Sequence, residues 1–222
     1  MRGLRFSVAL GLAAAVFLPA CTPQPAEQTA GLPGDPSRGY RIASNNCAAC
    51  HGLTGDATNP GTPKLAGQFP DYLVKQLKAF TAAPGVKPNR ISPVMEPIAA
   101  SLSNTDIADV ASWYAQQFRS EGRPRDGAQI AAGKQLFLHG NPDEGLPACA
   151  SCHRPSGGGI RPDFPNIAAQ NPAYVEHELA VWESTRGHPG KLMSIIVPRL
   201  TTNERGPLAD YIASLPPVET PP

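Results

Sequence analysis

Cys47-Ala48-Ala49-Cys50-His51 and Cys149-Ala150-Ser151-Cys152-His153 are one unit written twice in a chain of 222 residues. Each unit sets two thiols three residues apart, about one helical turn, with a His directly after the second. Four chemistries compete for it: a pair of disulfides, a zinc site assembled from two Cys-x-x-Cys pairs, a thioredoxin-like redox motif, or covalent haem attachment. Zinc accounts for the thiols but gives no reason for a His after both pairs. A redox Cys-x-x-Cys ordinarily occurs once, near a βαβ pattern that is absent here. Haem uses every residue: the thiols meet the two porphyrin vinyl groups as thioethers, and the adjacent His is delivered to the iron from one face. The sequence therefore predicts two covalently attached haem c groups, one on Cys47, Cys50 and His51 and one on Cys149, Cys152 and His153.

The two units anchor an internal repeat. Sliding the chain 102 residues along itself aligns 47–80 with 149–182, with 12 of 34 positions identical, several times the chance expectation. The identities include Gly55/Gly157, Pro63/Pro165, Gln68/Gln170, Pro70/Pro172, Tyr72/Tyr174 and Leu77/Leu179. The offset then becomes 98, pairing Met95/Met193, Ile98/Ile196, Leu102/Leu200, Ala111/Ala209 and Ala115/Ala213. Two homologous domains follow, over 36–118 and 128–216, joined by a polar linker at 119–127 and closed by a tail at 217–222.

Periodicity predicts small helical domains. A helix over Ser37 to Asn46 feeds the first motif, and one over Gln129 to His139 feeds the second. Further helices begin after Pro70 and Pro172, with Tyr72, Leu73, Gln76, Leu77 and Phe80 on one stripe and Tyr174, Val175, Glu178, Leu179 and Trp182 on the other. The last helix of each half opens with a capping box, Ser103 to Asp106 and Thr201 to Glu204. With 26 Pro, 21 Gly and only 17% charged residues, turns must be abundant, and a large β-sandwich or doubly wound sheet is disfavoured.

The sixth position of each iron separates electron transfer from chemistry on a substrate. Met95 and Met193 are the chain's two methionines besides Met1, they occupy equivalent places in the repeat, and both are expected in irregular stretches able to fold over the far haem face. A soft thioether favours Fe(II), raises the reduction potential, and closes the site. His139 and His177 read as surface or packing residues, while His188, close to Met193, is its rival as a ligand. Arg90 and Arg161 read as solvated loop residues, with haem propionates as the alternative partner.

In this combination the residues resemble class I cytochromes c and, as a tandem pair, the dihaem cytochromes of the cytochrome c4 family, over 36–216. The resemblance implies an all-α fold of two tandem class I cytochrome c domains. It implies that the carbonyls of Pro63 and Pro165, each 12 residues after the motif His, accept from Nδ1–H of His51 and His153. It also implies that the Tyr72 and Tyr174 helices line the haem pockets and that the propionates of the two domains face one another. The second half departs from the pattern at Ala169, where the first has Gly67, and lacks a counterpart of Pro93 before its Met.

The N-terminus reads as an export signal over 1–20: Arg2 and Arg5 precede an apolar run, Phe6 to Leu18, too short to span a bilayer comfortably. Leu18-Pro19-Ala20-Cys21 resembles a lipoprotein cleavage box, so Cys21 is the expected lipid attachment site, an ordinary signal-peptidase site being the alternative; 21–35 is then a tether on the periplasmic side. Without Arg2 and Arg5 the charge is 17 basic against 18 acidic residues, which excludes the basic surface that nucleic-acid binding needs. The expected activity is one-electron carriage, from a membrane-bound quinol-oxidising complex or a dehydrogenase to a terminal oxidase or reductase. The alternatives are a cytochrome subunit of a dehydrogenase, such as a sulfide-oxidising flavocytochrome, and a dihaem peroxidase.

Overall fold

A computed structural model of the chain describes residues 34–186 and 192–219. The signal segment, Cys21, nearly all of the tether, His188 and the last three residues lie outside the described residues. Ten α-helices make up the described architecture: α1 Pro36–Ile42, α2 Ala48–His51, α3 Pro70–Ala79, α4 Met95–Ala100, α5 Asn104–Ala115, α6 Ile130–His139, α7 Ala150–His153, α8 Pro172–Arg186, α9 Leu192–Ile196 and α10 Thr202–Ser214. Among the described residues the β features are two isolated bridges, Asn141 with Leu146 and Ile160 with Phe164.

The starts follow local chemistry. Asp35 caps α1 by accepting from the N–H groups of Ser37 and Arg38, and Pro36, Pro70 and Pro172 open helices where a missing N–H costs nothing. Both capping boxes form, Ser103 with Asp106 and Thr201 with Glu204, each satisfying two orphan donors. Two expectations need correction. The helix entering the first motif does not run as a uniform α-helix to Asn46: it passes into a π turn over Ala43–Cys47 and continues directly into α2. Met95 and Met193 stand not in irregular chain but at the start of α4 and within the short α9. Ser92 Oγ accepts from the N–H of Met95 at 3.2 Å, an ST-type contact that helps nucleate α4.

Each half is built on the crossing of its first and last long helices, α1 on α5 and α6 on α10. Both crossings are backbone-close. A Cβ on Gly39 would lie 2.1 Å from the Asp109 carbonyl oxygen, and one on Gly133 would lie 2.0 Å from that of Pro207, Asp109 and Pro207 being 98 residues apart as the repeat requires. One apolar cluster, with Leu73, Val110, Ala111 and Tyr114, gathers around Cys47; the other, with Phe137, Leu179, Leu208 and Ile212, takes in Cys149 and Met193. Two buried aspartates secure the incoming chain. Asp109 accepts from the Asp35 N–H at 2.7 Å and pairs with Arg38 at 3.0 Å; Asp210 accepts from the Arg125 N–H at 2.8 Å and from its Nε at 3.2 Å.

In an isolated helix Ala is favoured over Gly by about 1 kcal/mol. At the crossing the sign reverses, because the added methyl overlaps a backbone atom that cannot swing away. Gly133→Ala should destabilise the protein by about 1–3 kcal/mol in chemical denaturation, and a gain in stability would show that the helices do not cross as described.

Candidate functional site: two imidazoles and the seam between the halves

His51 and His153 end their short helices α2 and α7, and both rings are buried. His51 Nδ1 lies 3.0 Å from the Pro63 carbonyl oxygen and His153 Nδ1 lies 3.1 Å from that of Pro165. With Nδ1 donating, Nε2 carries the free lone pair and the tautomer is set. Burial pushes both imidazoles below their ordinary pKa against the opposing influence of the carbonyls, with Arg90 adding to the effect at His51, so both rings are kept neutral. Burial likewise raises the Cys47 thiol, and raises Cys149 to about 11.

Cys47, Cys50, Cys149 and Cys152 are all free thiols rather than disulfides. Among the described residues no cluster of three or more His, Cys, Asp or Glu could hold a metal ion, which counts against the zinc reading. Unpaired thiols one turn apart, beside an imidazole with Nε2 available, fit thioether attachment of a haem and axial ligation of its iron. Met193 packs against the second core cluster, and the neighbouring Ser194 accepts from the Trp182 indole at 3.2 Å, tying α9 to α8. Met95 is half-buried.

The carbonyl-bearing loops are built alike. Gly55, at φ 77°, offers its carbonyl to the N–H groups of Leu65 and Ala66; Gly157, at φ 74°, does the same for Ile167 and Ala168. Gly67 donates to Tyr114 O and Ala169 to Ile212 O. Ala169 keeps the left-handed backbone of Gly67, at φ 56° against 61°, so the substitution leaves the loop path intact while accepting backbone strain.

These loops meet each other across the middle of the molecule. Gln68 Nε2 donates to Asn166 O at 2.8 Å and its Oε1 accepts from the Asn166 N–H at 3.0 Å. Reciprocally, Gln170 Nε2 donates to Lys64 O at 3.0 Å and its Oε1 accepts from the Lys64 N–H at 2.7 Å. Lys64 and Asn166 are themselves repeat equivalents, so the seam has the self-complementary pattern of a two-fold interface. Arg119 lies close to the pseudo-axis, 3% exposed, donating at 2.8 Å to each of two equivalent carbonyls, Ala66 O and Ala168 O. Burial pulls its guanidinium down to about 10 despite the attraction of Asp56. Lys64 Nζ donates to Ser120 O at 2.9 Å and Glu121 O at 3.0 Å, fastening the chain that joins the halves.

A second polar group bridges α3 and α8. Arg90 donates to Gln76 at 2.9 Å and Tyr174 at 3.1 Å and pairs with Glu178; Arg186 donates to Gln76 and Tyr174 at 3.2 and 3.3 Å and also pairs with Glu178. Arg90 stacks over Phe80 and Arg186 over Trp182, at 4.5 and 4.7 Å, the two rings being repeat equivalents. Arg161 forks onto Asp71 through two 3.1 Å bonds. The expectation that Arg90 and Arg161 are solvated loop residues is thus corrected: both join the halves. His139 and His177 are exposed. Arg119, Lys64 and the seam role of Gln68 and Gln170 were not foreseen; the one signal was the identity of the two glutamines in the repeat.

Each half, then, is a helical domain with a Cys-x-x-Cys-His turn facing a carbonyl-presenting loop, and the family model described as Cytochrome c matches both, over 36–117 and 130–216. A protein named cytochrome c4 from Thiocapsa roseopersicina is 36% identical over 189 residues, 82% of this chain and 93% of that one. A thiosulfate dehydrogenase electron acceptor from Thiomonas intermedia is 35% identical over 178 residues, 77% and 79% of the two chains. The crystal structure of reduced cytochrome c4 from Pseudomonas stutzeri superposes with a TM-score of 0.74 at 32% identity, over 82% of this chain and 99% of that one. This chain belongs to the cytochrome c4 family: it is a dihaem electron carrier, not an enzyme.

Arg119→Ala should strip the donor from at least two buried carbonyls and destabilise the protein by about 2–5 kcal/mol, with hydrogen exchange of the seam amides accelerated before that of α5 and α10. Unchanged seam protection would remove Arg119 from this role.

Proposed function

We propose that the chain passes electrons one at a time on the periplasmic side of the membrane, through two haems ligated by His51 and Met95 and by His153 and Met193. Cys47 with Cys50 and Cys149 with Cys152 supply the thioethers. The domains span 36–118 and 128–216, with 119–127 as the link. The observation that carries this reading is the buried His in each half, with Nδ1 held by a proline carbonyl at 3.0 and 3.1 Å and free thiols beside it. A bound haem supplies reversible one-electron chemistry at its iron. The chain's own contribution is to fix the imidazole tautomer, exclude water through the two apolar clusters, and close each distal face with a thioether.

Donor and acceptor are membrane-bound redox complexes: a quinol-oxidising complex or a dehydrogenase on one side, a terminal oxidase or reductase on the other. The Thiomonas intermedia relative makes a thiosulfate-oxidising dehydrogenase one fitting donor. The halves carry 7 basic against 6 acidic residues over 35–118 and 10 against 11 over 119–222, so docking does not rest on a strong net field, and nucleic acid is not a partner. Among the described residues no helix is long and apolar enough to cross a membrane. Lipid on Cys21 provides the anchor, since two or three acyl chains at about 0.8 kcal/mol per buried methylene hold a protein durably.

The intact protein should exceed its polypeptide mass by two haems and keep its colour when denatured. Met95→Ala and Met193→Ala should each lower the potential of one haem and admit carbon monoxide to that haem alone. Retention of the Met-to-iron near-infrared band at full intensity in Met193→Ala would decide against Met193 as the ligand and leave His188, tested by its own substitution, as the rival. The full chain should fractionate with membranes and resist high salt, while Cys21→Ser should be either held uncleaved or released haem-loaded; a wild-type protein with an unmodified N-terminus would remove the anchor and leave the haem ligands untouched.

A further inference from the structure

The seam glutamines do not merely glue two loops. Pro63 C=O and Lys64 N–H belong to one peptide plane, and in a trans peptide they point in opposite directions. The Lys64 N–H is taken by Gln170 Oε1 at 2.7 Å, and on the other side of that plane the Pro63 oxygen lies 3.0 Å from His51 Nδ1. A continuous hydrogen-bonded chain therefore runs from a glutamine of the second half, through one peptide of the first half, to the imidazole of the first half. The mirror chain exists: Gln68 Oε1 accepts from the Asn166 N–H at 3.0 Å, and the Pro165 oxygen of the same peptide lies 3.1 Å from His153 Nδ1. Both glutamines also donate to the carbonyl of the residue whose N–H they accept from, so each grips its loop at two points.

We propose that Gln170 and Gln68 are crossed positioning residues, Gln170 orienting His51 and Gln68 orienting His153, so that each imidazole is tuned from the opposite domain. The physical basis is twofold. Fixing the N–H fixes the plane and hence the aim of the carbonyl. Donating that N–H to a strong acceptor polarises the amide and makes its oxygen a better acceptor in turn. A better acceptor at Nδ1 gives the ring more imidazolate character and makes it a stronger donor through Nε2. The proposal rests on the His ligation put forward above, but it assigns these glutamines a role that His ligation alone does not require.

The test uses the full holoprotein, with haem content established by intact mass before any potential is read. Gln170→Met keeps the volume while removing both hydrogen bonds to Lys64, together with the one that Oε1 accepts from the Asn171 N–H at 2.9 Å; Gln68→Met does the same on the other side, where the Phe69 N–H is the third donor, at 3.0 Å. Gln170→Met should raise the potential of the first-domain haem, by about a threefold change in its reduction equilibrium, and speed hydrogen exchange of His51 Nδ1–H, with the second haem unmoved. Gln68→Met should do the reverse. Equal shifts at both haems in either variant would reduce the glutamines to general seam packing, and a shift confined to the haem of the mutated domain would overturn the crossed assignment. No shift at either haem, with two haems covalently present, would overturn it as well. A wild-type protein lacking two covalent haems would instead sink the ligation itself, so the two failures are distinguishable.

Discussion

An imidazole has two nitrogens, and the partner offered to one decides what the other can do. In both halves of this protein a proline carbonyl claims Nδ1, and much of the surrounding structure serves to hold that carbonyl still. The loop bends at a glycine with positive φ, is pinned by that glycine's own oxygen, and is tied at Gly67 or Ala169 to the last helix of its domain. That last helix is fixed by a glycine-mediated crossing with the first helix, whose path leads into the Cys-x-x-Cys-His turn. The constraint thus propagates from one ring nitrogen to the crossing of the first and last helices of each half.

The halves meet where those loops meet, which explains why the seam is polar although it is buried. Backbone N–H and C=O groups in the carbonyl-presenting loops have no regular ladder to satisfy them, and leaving them unpaired inside the molecule would cost about 1–3 kcal/mol each. The side-chain amides of Gln68 and Gln170 have the right geometry, one donor and one acceptor on a single planar group, and they satisfy the partner domain's loop. The same need explains the buried Arg119, whose charge is accommodated by three carbonyl contacts with Ala66, Asn166 and Ala168 rather than by a directly bonded carboxylate.

The sequence announced the motifs, the repeat and the helix starts, because each is a local signal: thiol spacing, identity at a fixed offset, a Ser or Thr followed three residues later by an acid. It was silent on what lies between the halves, because nothing local distinguishes a buried Arg119 from the polar linker residues that follow it. Arg90 and Arg161 escape a local reading for the same reason: a loop Arg is ordinarily solvated, and only the meeting of the two halves supplies Glu178 and Tyr174 to one and Asp71 to the other. The methionines stand in helices too short for periodicity to announce: Met95 opens one of six residues, where Ser92 accepts from its N–H, and Met193 lies within one of five. The identity of Gln68 and Gln170 was visible from the start, but its meaning is a relation between two loops and appears only when they are brought together.

Arg119 donates to two equivalent carbonyls near the axis that relates the halves. Two separate identical chains meeting in this way would bring two guanidinium groups to one confined place, and like charges there would repel. Joining the halves in one polypeptide removes that prohibition, since a residue can occur once where symmetry would demand it twice. The same release from symmetry lets Glu178 stand opposite Gln76, and Phe164, edge-on to the His153 ring, stand where the first half has Thr62. Covalent fusion has therefore turned a two-fold object into a directional one, with two ends that a partner can tell apart.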